Sequence, residues 1–246
     1  MAKQGQSADI GQRAVSRREV RAHRILNAAA TLILRWGYQK VTLDDISRQA
    51  GVAKTTIYLH WKTREELFAA LMKREKLELA EDFKLRIAAD PEGATLRGIL
   101  KHPALALMQR PLMKAVLLRD MAILGKLTQS AESKSAYVEK LMGFKIYLEF
   151  LREHSLVRTD LSLQAQVYIF SAIFTGFFLV APLMPDEFTP SDEELAELMA
   201  ETAHCTLEAR RPVSPDELQT VSATFMQYLT RSTQVVQEQF QKELEA

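Results

Sequence analysis

The sequence predicts an all-α protein, on three observations. Apolar residues recur at helical spacing through most of the chain, capping signals open those segments, and no stretch shows convincing strand alternation. At 246 residues and 47% hydrophobic, the chain can bury a sizeable core and suits two domains.

The elements follow in order. A first helix is expected over 17–36, where Ala22, Ile25, Ala29, Leu32 and Trp36 share one face. Thr42, with Asp45 three residues on, caps a second helix whose stripe is Leu43, Ile46 and Ala50. Gly51 suits the left-handed position that ends it. A short helix follows over 53–60, with Ile57 inward and Lys54, Thr55, Thr56, Tyr58 and His60 outward. Thr63-Arg64-Glu65-Glu66 reads as a full capping box opening a long helix that runs to near Ile87. Asp90-Pro91-Glu92-Gly93 breaks that helix, and His102-Pro103 and Arg110-Pro111 read as further breaks or starts, because proline fits a helix's first turn. Helices are then expected over 111–127, 133–154 and 162–181. Capping boxes at Ser191-Asp192-Glu193-Glu194 and Ser214-Pro215-Asp216-Glu217 open two more, ending near Arg210 and Glu243.

Residues 161–185 carry no charge, which passes the length used to flag a membrane span. Gln164, Gln166, Ser171, Thr175, Gly176 and Pro182 interrupt the segment, and no Lys/Arg cluster anchors its ends. The reading preferred is the central helix of a bundle, with no membrane association.

Charge divides the chain. Residues 1–64 hold twelve Lys/Arg against four Asp/Glu, an excess of eight positive charges, and the remainder stands at −7 in a chain of net +1. A basic end on an acidic body suits a protein that presents that end to phosphate. The first residues are polar and basic, so no secretory signal is read there, and residues 1–16 are expected to be a flexible basic tail. Cys205 stands alone, which excludes an internal disulfide and fits a reducing cytoplasm. With no basic residue close in sequence, it reads as a packed thiol and not a redox sensor. The histidines are scattered, so no metal site is expected. No Gly-rich nucleotide loop, metal-ligand spacing or Gly-x-Ser-x-Gly elbow points to an enzyme.

Helix, glycine turn and a short helix bearing basic, hydroxyl and aromatic residues is the pattern of helix-turn-helix DNA recognition. With the helix before it, this stretch resembles the DNA-binding domain of the TetR family of transcriptional regulators. The matching residues are Ala29, Gly37, Tyr38, Thr42, Ile46, Ala50-Gly51-Val52, Lys54, Thr56-Ile57-Tyr58, His60-Trp61, Lys62 and Glu66-Leu67. The family usually has Ser or Thr where Ala53 stands, and the resemblance covers roughly the first quarter of the chain.

The resemblance implies a helix-turn-helix domain over 17–65 and a larger helical ligand-binding and dimerisation domain over 66–246. Thr55, Thr56 and Tyr58 would meet base edges or phosphates, flanked by Lys54 and His60; Lys62 would face the backbone, and Thr42 and Arg48 would hold phosphates. Ile46, Val52, Ile57, Trp61 and Leu67 are core. It further implies a cytoplasmic homodimer on a palindromic double-stranded operator, most often a repressor, released by a small-molecule effector and needing no cofactor. A protein that coats DNA without sequence preference is the alternative. Met121, Phe144, Tyr147, Phe170, Phe174 and Phe178 are candidate lining for a hydrophobic or amphipathic effector, with Arg119, Gln166, Tyr168 and Thr175 as candidate polar anchors. The helices over 162–181 and 191–210 are candidates for the dimer interface, and the last helix could join them.

Overall fold

The computed structural model describes residues 17–125 and 131–245; the expected basic tail, residues 1–16, lies outside the described residues. Eleven α-helices follow one another among them: α1 Arg17–Trp36, α2 Leu43–Ala50, α3 Lys54–Tyr58, α4 Arg64–Ala89, α5 Leu96–Met108, α6 Pro111–Leu118, α7 Met121–Leu124, α8 Ala131–Glu153, α9 Leu163–Val180, α10 Asp192–Leu207 and α11 Pro215–Glu245. Two short 3₁₀ turns join α9 to α10, and the extended pairing among the described residues is one isolated bridge, Val157 to Glu208. The protein is all-α, as the periodicity predicts.

Two cores organise these helices. The head core gathers Ala22, Ile25, Leu26, Ile46, Ile57, Trp61, Leu67 and Leu71 from α1 to α4. The body core joins Ile87 and Leu96 to Tyr147, Leu148, Val221 and Phe225. A third cluster, around Leu100, Ala104, Phe178, Met199 and Ala203, packs α5 on α10, which also meets α9. Along the α5–α10 seam Lys101 pairs with Glu197 at 2.6 Å, and Arg97 pairs with Glu197 and Glu201. The turn between α4 and α5 is tight: a Cβ on Gly93 would lie 2.6 Å from the Ile87 carbonyl oxygen. Nearby, the His102 ring nitrogen Nε2 lies 2.7 Å from Asp90, the residue that ends α4.

Several expectations are corrected. Pro103 does not break α5; it sits inside the helix, which burial of Leu100, Ala104 and Leu107 against the third cluster holds together. The helix expected over 111–127 ends at Leu118: Arg119 turns left-handed at φ 52°, and the Asp120 carboxylate caps a new short helix by accepting from the Ala122 and Ile123 amides. The Thr63 box is half formed, since the Thr63 hydroxyl accepts from Glu66 N–H while the Glu66 carboxylate accepts from Lys62 N–H at 2.7 Å. Those at Ser191 and Ser214 are complete.

α9 is the largest correction. It was expected at the centre of a bundle, yet within this chain only Gln166 and Phe178 of its residues are fully buried. One face packs on α8, α10 and α6. The other leaves Tyr168 76%, Leu179 51% and, just beyond the helix, Leu183 75% and Phe188 67% exposed. Leu163–Leu183 is long and apolar enough to cross a membrane by length and composition.

Candidate nucleic-acid interface

α2 and α3 are built by local chemistry. The Thr42 hydroxyl accepts from Asp45 N–H and donates to the Asp45 carboxylate at 2.6 Å, while Thr42 N–H donates to that same carboxylate. Gly51 sits at φ 61°, and a Cβ there would meet nothing, so it is the left-handed backbone that favours glycine. α3 then starts at Ala53, whose side chain offers no cap to the free amides. Ile57, fully buried, pins this short helix to the head core and fixes which side chains point away.

The outward set is much as read from the sequence. Lys54, Thr55, Tyr58 and Lys62 are exposed, Arg48 extends into solvent, and Thr56 and His60 are half-buried at the edge of the same surface. Several of the expected contact residues are already engaged or tuned by their neighbours. Lys54 pairs with Asp44 at 2.8 Å, and that hydrogen bond raises its pKa, tying the start of α3 to α2. The Lys62 ammonium donates to the Tyr58 carbonyl at the end of α3. The Thr42 hydroxyl is committed to its cap. Burial first, then the charges of Arg18 and Arg21, lowers the pKa of His60, so its ring is neutral at pH 7.

Other contributors escape a linear reading. Arg18 on α1 donates to the Leu59 carbonyl at 3.0 Å, clamping α1 against the end of α3. Arg17, Arg21 and Arg24 are exposed on α1, and Arg21 lies close enough to act on His60. They belong to the basic excess already visible in the sequence, but their neighbours emerge only on folding. Arg64 is withdrawn from that excess: its guanidinium lies 4.4 Å from the Tyr38 ring and donates to the Val41 carbonyl, so it binds α4 to the α1–α2 loop. The remaining array of exposed cations and hydroxyls can hold phosphates in register and offer side chains to base edges.

The body residues separate into two places. Phe144 stacks on Phe170 at 4.0 Å, Tyr147 packs on Phe225 at 4.4 Å, and Phe174 meets Phe178 edge-on at 5.5 Å, all along the inner sides of α8 and α9. Arg119 and Met121 instead lie at the α6–α7 turn, where α7 packs on α1. Tyr147 donates its hydroxyl to the Ala94 carbonyl. Gln166 is closed off, its oxygen accepting from Arg152 and its amide donating to the Arg158 carbonyl, and Tyr168 points outward. An open cleft of about 570 Å³ lies elsewhere, lined by Arg158, Asp160, Cys205, Arg210 and Arg211 among others. Cys205 is exposed and not packed; its thiol donates to Glu201, which raises its pKa and disfavours the reactive thiolate. Among the described residues no group of three His, Cys, Asp or Glu is placed to hold a metal.

Comparison with known proteins bears on this surface. The sequence model of the tetR family of bacterial regulatory proteins matches residues 25–71. An uncharacterised HTH-type transcriptional regulator of Mycobacterium tuberculosis is 32% identical over 99 residues, covering 37% of this chain and 49% of that protein. The fatty acid metabolism regulator protein of Bacillus subtilis is 36% identical over 83 residues, covering 32% of this chain and 41% of that protein. The chain thus spans about half or less of the length of these relatives. Among solved structures, a complex of SmeT with triclosan aligns with a TM-score of 0.61 at 17% identity, over 79% of this chain and 99% of that one. NalD of Pseudomonas aeruginosa, described as the secondary repressor of the MexAB-OprM multidrug efflux pump, aligns with a TM-score of 0.57 at 20% identity, over 78% and 98%. These structural likenesses carry the fold through both head and body. The match to the tetR-family model covers the helix-turn-helix, residues 25–71, and the likeness over the rest of the chain is one of fold.

Proposed function

We propose that this protein is a cytoplasmic, dimeric, ligand-responsive transcriptional regulator, acting as a repressor on a palindromic operator. The observation that carries the reading is α3, seated by Ile57 with Lys54, Thr55 and Tyr58 turned outward on a basic head. The head would correspond to residues 17–65 and the effector body to residues 66–246. A single helix-turn-helix makes too few base contacts for useful specificity, which favours two heads on two half-sites. The open apolar face of α9 supports a second copy as its cover, because a face of that kind in water costs free energy until it is paired. The aromatic pairs Phe144–Phe170, between α8 and α9, and Phe174–Phe178, along α9, support a hydrophobic or amphipathic effector. So do a similar protein solved with triclosan and another named for fatty acid metabolism. An effector would act by binding one spacing of the heads better than the other.

The test is selection of bound fragments from the source genome, then anisotropy titration of the winners. A shared palindrome bound far more tightly than random DNA supports the reading; uniform weak binding supports a DNA-coating protein instead. Within that experiment, Lys54→Ala is expected to weaken binding to all DNA and to reduce the salt slope by about one. An unchanged slope would confine Lys54 to its pair with Asp44.

A further inference from the structure

α11 belongs to both cores. Val221, Phe225 and Leu229 in its first half are buried in the body core, with Phe225 edge-on to Phe83 of α4 at 5.9 Å. Phe240 and Leu244 near its other end are buried in the head core beside residues of α1 and α4. There Lys73 of α4 pairs with Glu243 at 2.8 Å, the His23 ring meets Phe240 edge-on, and Gln241 donates to Glu19, a buried carboxylate on the first turn of α1. The helix therefore runs antiparallel to α4 from body to head.

The opposite end of α1 is held separately. Tyr38 N–H donates to the Ile123 carbonyl at 2.7 Å, and a Cβ on Gly37 would lie 2.4 Å from the Ala122 carbonyl oxygen, so α7 sits directly against the exit of α1. Glu19 and Gly37 are about 27 Å apart at 1.5 Å per helical residue. A head joined to the body through α4 and the α6–α7 segment alone, whose Leu112, Ala115 and Leu124 enter the head core, could rock about that line. A third attachment, far from the line, removes the freedom.

We propose that the end of α11, Phe240 to Leu244, is a latch that fixes the orientation of the DNA-reading head on the body. It makes DNA affinity depend on residues distant from the helix-turn-helix in sequence. The inference rests on the regulator reading for its DNA arm and on geometry alone for its other arm. A body rearrangement around Phe225 must carry α11 along α4 or open the latch, so the helix is a second route between body and head beside α4. Opening it leaves the head folded but loosely held, and affinity falls with the fraction of heads correctly oriented.

The test uses the full chain. Hydrogen exchange of the α1 amides reports the latch without DNA, and titration with the selected DNA fragments reports its effect on binding. Phe240→Ala is expected to speed α1 exchange and weaken DNA binding by about tenfold each. Lys73→Glu and Glu243→Lys should each do so by about fivefold, and the double variant, with the pair reversed, should return both within about twofold of the parent. Parent-like α1 exchange in Phe240→Ala and in both charge variants overturns the latch. Should Phe240→Ala unfold the whole protein, the reversed pair decides, and failure of the double variant to recover overturns the proposal. A parent chain that binds no DNA refutes the regulator reading, while the exchange arm still decides the latch.

Discussion

At the residue scale, the lowered pKa of an imidazole on the proposed DNA-facing surface has a measurable consequence. His60 and His23 both titrate below the ordinary 6.5, each first because burial disfavours the charged ring. Nearby arginines add to it: Arg18 and Arg21 for His60, and Arg74, against the opposing Glu78 and Glu19, for His23. The unfolded chain therefore binds more protons than the folded one just below pH 6.5, so head stability is complete above that value and declines as pH falls through the folded values. Thermal melts are expected to show a lower midpoint near pH 5.5 than near pH 7.5, and His60→Gln should shrink the difference. A midpoint that does not change over that interval would refute this. The outward positions of Lys54, Thr55 and Tyr58 were legible in the sequence because Ile57, one residue at helical phase, dictates them. Their engagements were not: the Lys54–Asp44 pair and the Arg18–Leu59 contact join residues that only the fold brings together.

At the scale of the element, α3 is the weakest helix by its own chemistry, with five residues and no side-chain cap. Ala53→Ser is expected to supply that cap and stabilise the head by about 0.5–2 kcal/mol, read as a raised denaturation midpoint. No gain would mean that the serine hydroxyl does not reach the free amides. In α5, Pro103 cannot donate to the Ile99 carbonyl, and packing holds the helix through it. Pro103→Ala should stabilise the protein by up to about 3 kcal/mol, and a lower midpoint would show instead that the ring packs irreplaceably. These two sites mark where element boundaries are legible. Thr42, Gly51, Ser191 and Ser214 announce helix ends through bonds to their immediate neighbours, which spacing reveals. Pro103 and the break at Arg119 depend on packing against distant segments, which spacing does not.

For the whole molecule, the uncharged stretch over 161–185 carried a true signal with an incomplete destination. Apolarity on every side says that water is excluded, but not whether the same chain, a second copy or lipid does the excluding. Within this chain α9 is covered on one side, and the open side presents Tyr168, Leu179 and Leu183. If a second copy covers it, Tyr168→Glu should shift the protein from dimer to monomer in light scattering and cost at least tenfold in operator affinity. A dimer that persists in Tyr168→Glu and in Leu183→Glu would move the interface elsewhere. The head core has a further consequence, one of timing. Phe240 and Leu244 complete it, and Glu243 leaves the ribosome 170 residues after its partner Lys73. At bacterial-type synthesis rates that interval is roughly 10–30 s, during which a nascent chain holds α1 to α4 without their last packing partners. A nascent chain would then become competent for the proposed operator only after Phe240 and Leu244 have emerged, so chains interrupted before them would not occupy the sites of finished ones.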